Sequence, residues 1–277
     1  MKYLQLIRLP NLFLLALMQL TFRYGFLVYQ DIPLALADWQ YHLLVLATVL
    51  IAAAGYVIND IFDQDSDAIN KPEKAIVGKF ITEGRAYNIY VGLNITGVAI
   101  GFYLSNVILR PSFAVVFILI AASLYFYATN LKQTPVLGNI VVAALLALSV
   151  LIIGVFDLYP ATYEANQKEM GLLFKILLDY ALFAFFINFI REIAKDAQDA
   201  KGDYNAGIKT LPILIGVGRT AKLIFALLLV AVVMVFLYIN NHLMNNELYP
   251  ATIYSMVVVL APLLYLAVKS WTAKTVQ

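Results

Sequence analysis

The sequence predicts an all-α protein, a polytopic transmembrane helical bundle, on three observations. Of its 277 residues 62% are hydrophobic and only 13% charged, whereas soluble domains run about 45–50% apolar and about 25% charged. The mean hydropathy is +0.83, and the apolar residues gather in runs near the ~20 residues that a helix needs to cross a hydrocarbon core. The alternating apolar-out, polar-in segments of a β-barrel are missing from the sequence. Helices close their own backbone hydrogen bonds in lipid and are therefore the expected spanning element.

Eight segments meet the length test: 11–29, 40–60, 86–105, 111–131, 136–156, 171–191, 220–239 and 251–269. The first lacks a small-residue cleavage site and is expected to be a retained helix. A short turn around Pro135 joins the fourth and fifth segments, and the stretch from Asn240 to Pro250 joins the last two. Without a linker long enough to separate two bodies, 1–277 reads as a single transmembrane domain.

Orientation follows the basic residues. With the N-terminus inside, most of the 19 lysines and arginines fall on the cytoplasmic side, in clusters such as Lys71, Lys74, Lys79 and Arg85, or Arg191, Lys195 and Lys201. Arg110 and Lys168 fall opposite, and Arg23 and Lys175 lie within spans, where Arg23 is expected to reach an interface or a helix partner. The expected location is the inner (plasma) membrane, with the N-terminus and both acid-bearing loops in the cytoplasm. The chain has no cysteine, which excludes disulfides, thiolate zinc sites and cysteine nucleophiles. His42 and His242 are the only histidines, too few for a histidine-rich metal site. A net charge of +2 gives no reason to expect a nucleic-acid partner.

The chemistry-bearing residues lie after the second and sixth segments. Asn59-Asp60-Ile61-Phe62-Asp63 continues to Asp67, and Lys195-Asp196-Ala197-Gln198-Asp199 continues to Asp203. Both fit Asp-x-x-Asp-x-x-x-Asp, and carboxylates at i, i+3 and i+7 share one face of a helix. Asp65 falls off that face and is expected to be solvated. Two such faces, an even number of spans apart, suggest an internal duplication with both acidic faces meeting at one cytoplasmic mouth. A solvated acidic helix end would explain one cluster, but not two matched in spacing and side. Clustered carboxylates near an apolar rim repel one another and resist desolvation. Divalent cations offset that, and an all-oxygen, phosphate-bridging site suits Mg²⁺. Lys132, Arg191 and Lys195 stand where a departing diphosphate needs positive charge.

These residues resemble the signatures of the UbiA superfamily of intramembrane prenyltransferases, nearest the subgroup of geranylgeranylglyceryl-phosphate geranylgeranyltransferases and chlorophyll synthases. Asn59-Asp60-x-x-Asp63-x-x-x-Asp67 resembles the first motif. Arg191-Glu192-x-x-Lys195-Asp196-x-x-Asp199-x-x-Gly202-Asp203 resembles the second. Tyr127, Lys132 and Gly138-Asn139 resemble the stretch after the fourth helix, and Thr210-Leu211-Pro212 with Gly216 the one after the second motif. Lys71-Pro72-x-Lys74 departs from the family's pattern, with lysine for arginine and Ala75 for a second proline.

The resemblance implies a bundle of nine helices around a central cavity, against the eight segments counted above, so eight to nine helices are expected. It implies Mg²⁺ held by Asn59, Asp60, Asp63, Asp67, Asp199 and Asp203, with Asp196 assisting. Lys132 and Arg191 would act on the diphosphate, with Lys74, Tyr127, Asn139, Asn188 and Lys195 as further substrate contacts. The implied substrates are a prenyl diphosphate and a small acceptor in membrane lipid. A glycerol-phosphate lipid is the first choice, and an aromatic ring, as in quinone biosynthesis, the alternative. A cation-coupled transporter is the rival from another class, but its ion sites would lie near the midplane rather than at span ends.

Overall fold

The computed structural model describes residues 1–70, 73, 75–205 and 207–273. They form helices, with one isolated bridge between Val77 and Ile81. In chain order the helices are α1 (Lys2–Leu6), α2 (Leu9–Gly25), α3 (Asp38–Phe62), α4 (Gln64–Asn70), α5 (Glu83–Val107), α6 (Ala114–Thr129), α7 (Leu137–Ile153), α8 (Gln167–Asn205), α9 (Leu211–Ile215), α10 (Val217–Tyr238), α11 (Tyr249–Tyr254) and α12 (Ala261–Thr272). Among the described residues eight helical stretches are long and apolar enough to cross a membrane. These match the eight expected spans, some of them lengthened by π-helical turns such as Gly154–Leu158.

The chain divides into two compact units, Met1–Lys132 with Ala144–Ala184, and Gln133–Ala143 with Phe185–Gln277. The core of the first includes the fully buried Tyr41, Phe117 and Phe156. Small residues let its backbones approach, as they do between membrane helices. A Cβ on Gly97 of α5 would meet Ile51 of α3 at 2.8 Å, and one on Gly101 would collide with the Phe117 ring of α6. A second cluster, with Leu6, Val57, Ile58, Ile61, Ile76 and Ile81, packs beneath the end of α3 and fixes the first acidic motif.

Arg23 finds its partner inside this unit. Its guanidinium donates to buried Asp157 on the π-helical turn and, at 2.7 Å, to the Leu36 carbonyl, with Asp38 at 3.2 Å. Gln19, one turn earlier, donates to the Ser149 carbonyl at 2.8 Å. This network sits at the start of α3 and the acids at its end. The 22 residues from Asp38 to Asp60 rise about 33 Å, roughly the hydrocarbon thickness.

In the second unit α10 packs along α12, with Phe225 and Trp271 ring centroids 4.9 Å apart. The helix α8 is 39 residues long, about 58 Å, and far exceeds the ~30 Å core. The expected span 171–191 covers its apolar part, and the helix runs on through the whole second acidic motif.

Candidate metal and diphosphate site

The first motif closes α3. The helix ends at Phe62, Asp63 caps it at φ −93°, ψ 2°, and α4 begins at Gln64. The three acids therefore do not share one unbroken helix, as the spacing suggested. The Asp67 amide still donates to the Asp63 carbonyl at 2.8 Å, which keeps Asp67 one turn beyond it. Asp65 is exposed, as its off-face position implied.

Asp60 and Asp63 each have a cationic partner. Asp60 pairs with Arg8 at 2.9 Å. Asp63 is buried, accepts from the Asn59 amide at 2.5 Å, and pairs with Lys132. The Arg8 guanidinium also stacks over Tyr56, 4.9 Å from its centroid, and Asn11 donates to the Tyr56 hydroxyl at 3.3 Å. Burial opposes the Arg8 charge, but the Asp60 carboxylate outweighs it and lifts the pKa above the ordinary arginine value.

The second motif lies on one helix, as expected. Asp196, Asp199 and Asp203 all belong to α8, with Asp203 buried near its end. Gly207 at φ 71° stops the helix. Its amide bonds to the Tyr204 carbonyl at 3.2 Å, and the Ile208 amide to the Asp203 carbonyl at 2.9 Å, the double closure that a glycine in this conformation permits. Asn139 donates to Asp196 at 2.7 Å. Glu192 is 5% exposed and joins the face of Asp196, Asp199 and Asp203. It holds Arg191 at 3.1 Å and Lys195 at 3.5 Å. Tyr127 and Asn188 are half-buried on α6 and α8. Lys74 lies outside the described residues.

Both motifs put carboxylates at helix C-termini, where the macrodipole carries about half a negative charge. That adds to the repulsion among the carboxylates within each motif and favours nearby cations. Among the described residues no three acids or histidines form a closed metal cage. Mg²⁺ needs only one or two carboxylates and completes its shell with water and phosphate oxygens. Asn59, Asp60, Asp63 and Asp67 in the first motif, and Asp196, Asp199 and Asp203 in the second, offer side-chain oxygens of that kind. Arg8 and Glu192 pair with residues of the two motifs, contacts that the motif reading did not assign. Arg8 reads as a positive-inside anchor, and Glu192 stood in the motif without a role.

The UbiA prenyltransferase family matches the chain over residues 14–276. The chain belongs to the UbiA prenyltransferase family. It is 35% identical over 232 residues to a digeranylgeranylglyceryl phosphate synthase of Saccharolobus solfataricus, covering 83% of this chain and 75% of that one. It is 32% identical over 236 residues to the corresponding synthase of Methanobrevibacter smithii, covering 85% and 75%. A solved UbiA homologue from Archaeoglobus fulgidus bound to GPP and Mg²⁺ shares the fold at a TM-score of 0.60 and 18% identity, covering 98% of this chain and 97% of that one. As a UbiA-family member this chain is an integral membrane enzyme that transfers prenyl groups, which removes the transporter reading.

Proposed function

We propose that this UbiA-family enzyme moves a geranylgeranyl group from its diphosphate to the free hydroxyl of a prenylated glycerol phosphate, with Mg²⁺ as cofactor. The observation that carries the acceptor is its relatives: digeranylgeranylglyceryl phosphate synthases from several archaea match at 32–35% identity. In this reading 1–277 acts as one enzymatic domain, with the N-terminus and both acidic motifs on the cytoplasmic side, where a charged diphosphate is available.

Asn59, Asp60, Asp63 and Asp67, with Asp199, Asp203 and Asp196, would hold the metal. When bound, Mg²⁺ neutralises charge on the departing diphosphate. Lys132, Arg191 and Lys195 add positive charge where the leaving group gathers negative charge. Asn59 and Asn139 orient the carboxylates they touch, Asp63 and Asp196. Tyr127, Asn188 and Lys74 are further proposed substrate contacts. The apolar spans exclude water, so the allylic carbon meets the acceptor oxygen rather than solvent.

The test offers purified enzyme geranylgeranyl diphosphate together with geranylgeranylglyceryl phosphate and an aromatic acid acceptor, and identifies products by mass spectrometry. The doubly prenylated glycerol phosphate is expected. A prenylated aromatic ring as the main product would transfer the assignment to quinone-type chemistry.

A further inference from the structure

Arg8 has no part in the motifs, yet the fold invests in placing it. It precedes α2 in the left-handed region, φ 53°, ψ 53°, a conformation that a bulky residue keeps only when its surroundings hold it there. Two contacts hold its side chain, the Asp60 carboxylate at 2.9 Å and the Tyr56 ring face at 4.9 Å, and Asn11 in turn anchors the Tyr56 hydroxyl at 3.3 Å. The side chains of the ion pair are 33% and 14% exposed, so the pair is partly withdrawn from water. A guanidinium keeps its charge at every working pH and has a fork of donors suited to phosphate oxygens.

From this we infer that Arg8 serves two partners in turn. Paired with Asp60, it neutralises that carboxylate. When a divalent cation takes that carboxylate, the guanidinium is released to the diphosphate that the metal brings with it. A permanent positive charge on Asp60 weakens metal binding alone, and the released charge strengthens diphosphate binding afterwards. Metal and diphosphate thereby favour each other, and such coupling is reciprocal. The inference rests on the metal reading proposed above and adds to it a residue and an order of events. Lys132 on Asp63 is a second cation in the same relation to the motif.

The test is Mn²⁺ binding to the full-length enzyme in detergent, read from the electron paramagnetic resonance of free Mn²⁺ without any diphosphate. Arg8→Gln is expected to bind Mn²⁺ about fivefold more tightly than the parent, the effect of removing one partly exposed ion pair, while its KM for prenyl diphosphate rises. A merely structural arginine would leave Mn²⁺ affinity unchanged or weaken it, and either result overturns the inference. Asp60→Asn and Asp63→Asn separate the two layers. If neither weakens Mn²⁺ binding, the metal reading fails and this inference with it. If both weaken it and Arg8→Gln does not tighten it, only the role of Arg8 falls. On the unaltered protein, phenylglyoxal labelling of Arg8 mapped by mass spectrometry should speed up with Mn²⁺ and slow again with Mn²⁺ plus inorganic pyrophosphate. Labelling indifferent to Mn²⁺ would overturn the inference even if the variant did not fold.

Discussion

Lys132 and Asp63, 69 positions apart in sequence, form an ion pair that ties the end of the fourth span to the end of the second. The other oxygen of Asp63 takes the Asn59 amide. A carboxylate at the negative end of a helix is thus held by a cation from one span and an amide from its own. The contact gives Lys132 a positioning role: it fixes where the Asp63 carboxylate points.

Replacing Lys132 is expected to affect chemistry more than folding, since its side chain is 20% exposed. Lys132→Met should lower kcat/KM for the prenyl diphosphate about 100-fold, the scale of losing one donor to a developing negative charge. Lys132→Arg should keep a larger share. Steady-state kinetics on detergent-purified protein checks both.

Glu192 is buried and holds both Arg191 and Lys195. Glu192→Gln keeps the shape and removes the charge that orients those cations. A loss of about tenfold in kcat/KM is expected, as for other residues that position a ligand without touching it. Kinetics beside a thermal unfolding curve separates this from instability.

The buried pair of Arg23 and Asp157 should matter for stability and not for the reaction. Removing one partner strands a charge among apolar residues, and Arg23→Ala is expected to cost about 3–5 kcal/mol. Replacing both, with Arg23→Met and Asp157→Leu, should recover most of that loss. Reversible unfolding in mixed micelles measures it, with activity per folded molecule unchanged.

Gly101 meets Phe117 so closely that an added methyl has no room. Gly101→Ala is expected to destabilise by about 1–3 kcal/mol through overpacking. Combining it with Phe117→Leu should relieve part of the strain, which the same unfolding measurement would show.

The spans were legible because hydropathy reports the lipid zone directly, and all eight appear where apolar runs predicted them. Helix ends were less legible. The Asp196-to-Asp203 stretch is too polar to count as a span, yet it continues α8 because nothing stops the helix before Gly207. The break at Asp63 carries no glycine or proline to announce it. The acids themselves were readable from spacing. Arg8, Glu192 and Asp157 were not, for different reasons. Arg8 and Asp157 meet partners 52 and 134 positions away, and long-range pairs leave no local trace. Glu192 looks like an ordinary charge until its burial is seen.

The most direct test of the metal-assisted prenyl transfer proposed for the two motifs is Mg²⁺-dependent diphosphate release from geranylgeranyl diphosphate with acceptor present. It should be made on the parent enzyme, Asp63→Asn and Asp199→Asn, each checked for folding. The expected result is release that EDTA abolishes and Mg²⁺ restores in the parent, and that both variants lose. Full release by either folded variant, or release indifferent to EDTA, would contradict the metal-binding role proposed for that motif.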